Sequence, residues 1–159
     1  MIARFADVSD EMKRIARSSI VAQPAARLYD LVLDVDAYPK FLPWCLEAKV
    51  HERDAERMVA TLTVGVKGLR QSFTTECVYR PYEAIDLRLI EGPFAHFSAA
   101  WRFQALADAA AKIEFSLEYE FSTRLLGKLL EPLFDHIANT MVDAFTRRAE
   151  AIGERQAAR

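Results

Sequence analysis

The residues best suited to hold a ligand lie in one short segment, residues 36–45, with the sequence DAYPKFLPWC. It places Tyr38, Phe41, Leu42 and Trp44 around two prolines. A plain turn uses Gly, Asn or Asp, whereas aromatic side chains on a stiff segment form an apolar wall. We predict that this segment borders a hydrophobic cavity, either as a gate that opens toward a bilayer, since Trp and Tyr favour the membrane interface, or as a static plug.

Hydroxyl groups on the apolar face of the predicted sheet are the second set of candidates. A side-chain hydroxyl can donate a hydrogen bond to a carbonyl acceptor of a bound ligand. Tyr119 is the first candidate for this role and Thr75 the second. The alternative for each is a hydroxyl satisfied within the fold near a strand end.

Catalytic and metal-binding arrangements are weak in this sequence. The three histidines, His51, His96 and His136, are scattered and are expected at the surface. No serine or cysteine has a recognisable histidine and acidic partner, and no glycine-rich phosphate loop is present. Three glutamates on one strand face, within residues 114–120, are typical of a solvated surface. We therefore expect no enzymatic activity, no metal and no cofactor.

Composition indicates one globular domain. The chain has 159 residues, 52% of them hydrophobic and 28% charged, with a net charge of -2, so a generic DNA-binding face is not expected. No apolar run approaches the roughly 20 residues of a membrane span, and the N-terminus lacks the apolar core of a signal peptide. Cys45 and Cys77 have no metal-ligand spacing and are expected to be reduced thiols. We predict a cytoplasmic protein that can lie peripherally on the inner membrane.

The spacing of apolar residues predicts the elements that position these side chains. A first strand over residues 14–22 precedes a helix that Pro24 opens and that ends before Pro39. A one-turn helix around residues 37–41 is compatible with the same sequence. Alternation with a period of two then predicts an antiparallel meander joined by short turns, with strands over residues 46–51, 58–66, 69–79, 85–90, 97–103 and 113–121.

A long C-terminal helix completes the pattern. Apolar residues recur at intervals of three and four from Leu126 to Phe145,, and Pro132 either starts this helix or kinks a longer one that begins near Thr123. The helix and the inward face of the sheet would enclose either a cavity or a solid core. The residues predicted to line that space are Leu62, Phe73, Phe94, Phe97, Trp101, Phe115, Leu133, Ile137 and Met141.

Six motifs carry a resemblance to a known family. In chain order they are ARSSIV, YPKFLPWC, EGPF, WRF, YEFS and MVDAFTRRA, which begin at Ala16, Tyr38, Glu91, Trp101, Tyr119 and Met141. With these motifs the chain resembles the coenzyme-Q-binding and ribosome-association-toxin group of START-like proteins, within the polyketide cyclase/dehydrase superfamily. The resemblance runs over residues 13–153. Two departures from it are Ala95, where a basic residue is common, and Ala100, where glycine is common.

The resemblance implies an α+β helix-grip fold, in which a curved antiparallel sheet of six to seven strands wraps around a long C-terminal helix. One START-like domain would span residues 13–153, between a flexible N-terminal extension (1–12) and a flexible tail (154–159). Mitochondrial relatives look like ubiquinone-binding proteins that support respiration. Some bacterial relatives are described as toxins that bind the large ribosomal subunit and block its association with the small one.

The sequence alone favours non-catalytic binding of ubiquinone or a related polyprenyl lipid, with transient membrane contact and support of respiratory electron transport. The alternative is a ribosome-associating regulator of translation, and the third hypothesis is a polyketide cyclase-like enzyme. The ribosome hypothesis needs a positive face, for which the candidates are Lys13, Arg14, Arg17, Arg147, Arg148 and Arg155. Asp143, Glu150 and Glu154 are expected to balance the arginine pair at 147 and 148.

Overall fold

The elements follow the predicted order along the chain. The structure is a computed structural model that describes residues 12–157. Its strands are β1 (Lys13–Val21), β2 (Cys45–Arg53), β3 (Arg57–Val66), β4 (Leu69–Arg80), β5 (Ala84–Glu91), β6 (Phe94–Ala107) and β7 (Ala110–Phe121). Its helices are α1 (Ala25–Leu33), the four-residue α2 (Tyr38–Phe41) and α3 (Arg124–Ala157), with a 3-10 turn at Val35–Ala37 before α2.

All seven strands join one antiparallel sheet in the order β1-β7-β6-β5-β4-β3-β2. Because β1 and β2 lie at opposite edges, residues 22–44 must cross from one edge to the other, and these residues form α1 and α2. α1 packs against α3, β6 and β7. Register shifts in β2 and β6 mark β-bulges, which bend strands and increase their twist. The predicted helix-grip architecture is confirmed.

Helix α3 begins where Thr123 caps it. The Leu126 backbone N–H donates to Thr123 Oγ1 over 3.1 Å, which satisfies one of the unpaired donors of the first turn. Pro132 lies inside the helix, so the longer of the two predicted helices forms. The helix has 34 residues and is therefore about 51 Å long at the usual rise. It continues past residue 153, the predicted end of the domain, as far as Ala157. Residues 1–11 of the predicted extension and residues 158–159 lie outside the described part of the chain.

Two aromatic residues of α3 anchor it to the sheet. Phe134 and Phe145 are 2% and 0% exposed, and they lie about three helical turns apart. The Phe134 cluster joins this ring to Phe73, Phe94, Tyr119 and Phe121, with centroids 5.2–6.1 Å apart. The Phe145 cluster joins its ring to Tyr38, Phe41 and Trp101, each at 5.3 Å. Most of these contacts are edge-to-face or tilted, as aromatic pairs prefer.

Candidate functional site

The segment predicted as a cavity wall is packed into the Phe145 cluster. Tyr38, Leu42 and Trp44 are buried, and the Tyr38 hydroxyl donates to the Val32 carbonyl oxygen. The rings of Tyr38 and Phe145 meet edge-on. The segment is therefore closed in this structure, and whether it acts as a gate or as a plug stays a prediction. Phe41 is the one aromatic residue of the segment that stays partly exposed.

The residues predicted to line a cavity divide into two groups. Phe94, Trp101, Phe115, Tyr119, Leu133 and Ile137 are buried. The rings of Phe94 and Tyr119 join the Phe134 cluster between sheet and helix. Leu62, Phe73, Phe97 and Met141 are only half-buried although they pack against the core. Two of them, Leu62 on β3 and Phe73 on β4, lie away from β1 and β7, the strands on which α3 mainly packs. We call the half-buried group the apolar rim.

The hydroxyls proposed for a quinone already have partners inside the protein. Tyr119 Oη donates to Asp135 Oδ1 over 3.0 Å, and burial, followed by the nearby Asp135 carboxylate, raises the pKa of Tyr119. Thr75 Oγ1 lies 4.0 Å from Cys77 Sγ. These contacts correspond to the alternative stated for both residues, that each hydroxyl has its partner within the fold. Asp135 was not singled out from the sequence, where its only signal is a carboxylate directly after the apolar pair at 133 and 134.

A cleft between α2 and α3 was also missed by sequence reasoning. This α2–α3 cleft has a volume of about 370 Å³. The Arg148 guanidinium carbon lies 5.2 Å from the centre of the Phe41 ring, within the range of a cation–π contact. The residues that line the cleft are Phe41, Pro43, Trp44, His136, Thr140, Ala144, Arg147 and Arg148. The sequence named most of these residues separately, but it could not place the aromatic segment beside the arginine pair.

Among the described residues, no ion pair neutralises the two arginines of the α2–α3 cleft. Within residues 12–157, neither Arg147 nor Arg148 forms an ion pair. The expected balance by acidic neighbours is therefore not made by direct pairing, and Arg147 Nε donates instead to the backbone oxygen of Asp143 over 3.5 Å. Arg148 Nε is buried without a hydrogen-bond partner. None of the residues that line this cleft is acidic, whereas four other surface clefts each include a carboxylate.

The other histidines and the cysteines of the described chain lie apart from the α2–α3 cleft. His51 Nε2 lies 2.7 Å from Thr61 Oγ1, and His96 Nε2 lies 3.8 Å from Glu118. Burial raises the pKa of each of the two unpaired thiols, Cys45 and Cys77, to about 11, which makes them poor nucleophiles at neutral pH. The described residues contain no cluster of His, Cys, Asp or Glu that could hold a metal ion. Within the same part of the chain, no helix is both long and apolar enough to cross a membrane.

Known proteins match this chain over most of its length. The ribosome association toxin RatA of Pseudomonas aeruginosa is 44% identical over 138 residues, which cover 87% of this chain and 96% of that protein. The mitochondrial coenzyme Q-binding protein COQ10 homolog B of Xenopus laevis is 29% identical over 150 residues, 91% of this chain and 62% of that protein. A START superfamily protein of Mycobacterium smegmatis shares the fold with a TM-score of 0.68, at 21% identity over 87% of this chain and 98% of that one.

A family model described as polyketide cyclase / dehydrase and lipid transport matches residues 21–146. This range runs from the end of β1 to the helical turn of Phe145, so it includes the whole sheet apart from most of β1, both aromatic clusters and most of the residues of the α2–α3 cleft. With this match and the RatA relative, the sequence and the fold agree: the chain belongs to the polyketide cyclase/dehydrase and lipid transport family.

Proposed function

We propose that this protein associates with the ribosome and regulates translation in a toxin-like manner. The observation that carries the proposal is the 44% identity to a ribosome association toxin across 96% of that protein's length. The sequence alone placed quinone binding first, and the relatives reverse that order.

The α2–α3 cleft supplies a surface suited to ribosomal RNA. Arg147 and Arg148 are free of carboxylate partners within the described residues, so binding a phosphate would not require breaking an ion pair. Arginine is well suited to phosphate because its planar fork donates two parallel hydrogen bonds. A net charge of -2 does not oppose this, because the relevant field is that of the local patch.

Cosedimentation with purified ribosomal subunits tests the proposal. We expect the protein to pellet with the large subunit at low salt and to reduce the formation of complete ribosomes from the two subunits, as measured by light scattering. Replacement of both arginines, Arg147→Glu with Arg148→Glu, should abolish both effects. The matched control is Lys49→Glu with Arg80→Glu, which changes the net charge equally at two exposed sheet positions outside the cleft. A wild-type protein that neither pellets nor changes subunit association would refute the proposal.

A second candidate function is the binding of a hydrophobic ligand such as a quinone. The observation that favours it is the apolar rim of Leu62, Phe73, Phe97 and Met141, which leaves apolar surface in contact with solvent. Each CH₂ of an isoprenoid tail buried there would contribute about 0.8 kcal/mol. The relation to a coenzyme Q-binding protein, at 29% identity, points the same way.

Native mass spectrometry of the freshly purified protein, followed by organic extraction, tests this second function. A bound polyprenyl lipid at near-stoichiometric amounts supports it, and the rim variant Leu62→Glu should then lose the lipid. Val78→Glu is the control, because Val78 is 48% exposed on a neighbouring strand. A protein that stays empty after incubation with quinone-loaded vesicles would argue against a lipid-binding role.

A further inference from the structure

We propose that the α2–α3 cleft binds a single unpaired nucleotide of ribosomal RNA, with the base stacked on the Arg148 guanidinium and the phosphate held by Arg147. This inference rests on the proposed association with the ribosome and adds the chemical group that is recognised.

The size of the cleft fits one nucleotide rather than a duplex. Its volume of about 370 Å³ lies at the lower end of the range for small-ligand pockets, about 300–1,000 Å³. A-form duplexes are recognised across the wide minor groove through shape and 2′-hydroxyl contacts, whereas unpaired bases can be splayed out into a pocket. A concave site of this size is therefore suited to a base that has left the helix.

Arg148 provides a preorganised platform for such a base. Its guanidinium carbon lies over the Phe41 ring, 5.2 Å from the ring centre, and Phe41 is held in turn by edge-on contacts with Tyr38 and Phe145. A planar guanidinium that rests on an aromatic ring can stack on a nucleobase with the face turned away from that ring. Because Nε has no partner within the described residues, the side chain is held by the ring rather than by a carboxylate.

Arg147 supplies the contact for the phosphate. Arg147 is exposed and lies next to Arg148 on α3. Among the described residues, its side chain makes one long hydrogen bond, from Nε to the Asp143 backbone oxygen at 3.5 Å. With two cations and no carboxylate among the lining residues, the cleft carries the charge complementary to a phosphodiester. The other four clefts contain acidic groups that would repel it.

An anionic lipid head group offers the same phosphate chemistry but fits the surroundings less well. A membrane-docking site needs apolar side chains that insert beside the charges. The strongly exposed leucines of α3, Leu125 at 67% and Leu129 at 53%, lie near its N-terminal end, about five to six helical turns from Arg147 and Arg148. The aromatic residue Trp44 in the cleft is itself buried. These positions favour RNA as the occupant.

Trp44 lines the cleft, so its fluorescence reports occupancy directly. In a Trp101→Phe background, which leaves Trp44 as the only tryptophan, we would titrate three probes: a mixed-sequence single-stranded oligoribonucleotide, a duplex of the same sequence, and phosphatidylglycerol-containing vesicles. We expect saturable quenching by the single strand, with an affinity about tenfold or more above that for the duplex. Stronger quenching by the duplex or by the vesicles would overturn the proposal.

Conservative variants test the stacking platform. Arg148→Lys keeps the charge but loses the planar surface, and Phe41→Leu keeps the apolar volume but loses the supporting ring. Each should weaken single-strand binding about tenfold, the order expected from base-stacking energies, whereas Arg80→Lys, at an exposed position outside the cleft, should leave it unchanged. Equal affinities for all three variants would overturn the proposal, and a circular dichroism spectrum identical to that of the wild type verifies the fold of each.

The same variants separate this inference from the proposed function. If Arg148→Lys and Phe41→Leu pellet with the large subunit as well as the wild type does, the ribosome association stands and the nucleotide site is refuted. If the wild-type protein itself does not pellet, the proposed function fails independently of the fluorescence result. Loss of pelleting in these two variants, with retention in Arg80→Lys, supports both.

Discussion

The hydroxyl of Tyr119 and the carboxylate of Asp135 are joined by a hydrogen bond of 3.0 Å between β7 and α3. Tyr119 is fully buried, so this bond links the sheet to the helix at the bottom of the Phe134 cluster. The same hydroxyl was the first candidate for a quinone head group. In this structure it holds two elements of the fold together, and its donor is occupied.

Tyr119→Phe should therefore act on stability. Removal of the hydroxyl leaves Asp135 without its donor, and we expect the free energy of unfolding to fall by about 1–3 kcal/mol in urea titrations. Tyr82→Phe is the control, because Tyr82 is 54% exposed and should change stability by less than about 0.5 kcal/mol. An unchanged stability together with loss of bound quinone would instead return Tyr119 to the role of head-group ligand.

Phe145→Ala tests whether residues 36–45 form a plug. The ring of Phe145 is 0% exposed and contacts Tyr38 and Phe41, so its loss leaves a cavity beneath the segment. We expect a cost of about 3–5 kcal/mol in the free energy of unfolding. Leu125→Ala, at a position 67% exposed, should cost less than about 0.5 kcal/mol. A small effect at Phe145 would show that the segment moves readily, as a gate would.

The salt dependence of the affinity for the ribosome reports how many phosphates the cleft contacts. Each neutralised phosphate contributes nearly one unit to the slope of log affinity against log salt concentration. Arg147→Ala with Arg148→Ala should therefore reduce that slope by between about 1 and 2, as measured by cosedimentation across a salt series. Lys49→Ala, on the exposed side of β2, should leave it unchanged. An unaltered slope in the double variant would place the phosphate contacts elsewhere on the surface.

The loss of folding stability at acidic pH should depend on Glu76. Its carboxylate pairs with Arg88 at 2.6 Å and Arg57 at 2.9 Å, and hydrogen bonds from these two guanidinium groups lower its pKa. A lowered pKa in the folded state means that the stabilisation is present above the ordinary value of about 4.3 and is lost as pH falls through the folded value. Melting temperatures of the wild type and Glu76→Gln should differ near pH 7 and converge as the pH falls through the lowered pKa of Glu76.

Glu47→Gln is the matched control for that comparison, because the single pair of Glu47 with Arg70 lies between two exposed side chains. We expect little difference from the wild type at any pH. A difference between wild type and Glu76→Gln that stays constant through the acid range would contradict an electrostatic origin.

Cys45 and Cys77 should react slowly with alkylating agents in the native protein. Burial raises each thiol pKa to about 11, so only roughly one thiol in a thousand is ionised at pH 8. We expect native labelling by iodoacetamide, followed by mass spectrometry, to be far slower than labelling in denaturant and to accelerate as pH rises toward 11. Rapid native labelling of either cysteine at pH 7 would show that it is accessible and activated.

The sequence by itself determined the order and type of the elements. Alternation with a period of two set the strands, and the three-and-four spacing from Leu126 to Phe145 set the long helix, because burial of one face imposes these periods locally. Proline was less decisive: the sequence allowed Pro132 to start or to kink the helix. The cap at Thr123 and the packing of the first turns determined that the longer helix forms.

Only the tertiary structure decided which residues from distant parts of the sequence are neighbours. Periodicity shows which residues face inward, but it does not show whether a helix covers the whole sheet. For that reason the predicted cavity lining divided into a buried core and the apolar rim of Leu62, Phe73, Phe97 and Met141. The contact between Phe41 and Arg148 joins positions more than a hundred residues apart. Such a contact depends on the crossing of α1 and α2 between the two sheet edges, which no local pattern encodes.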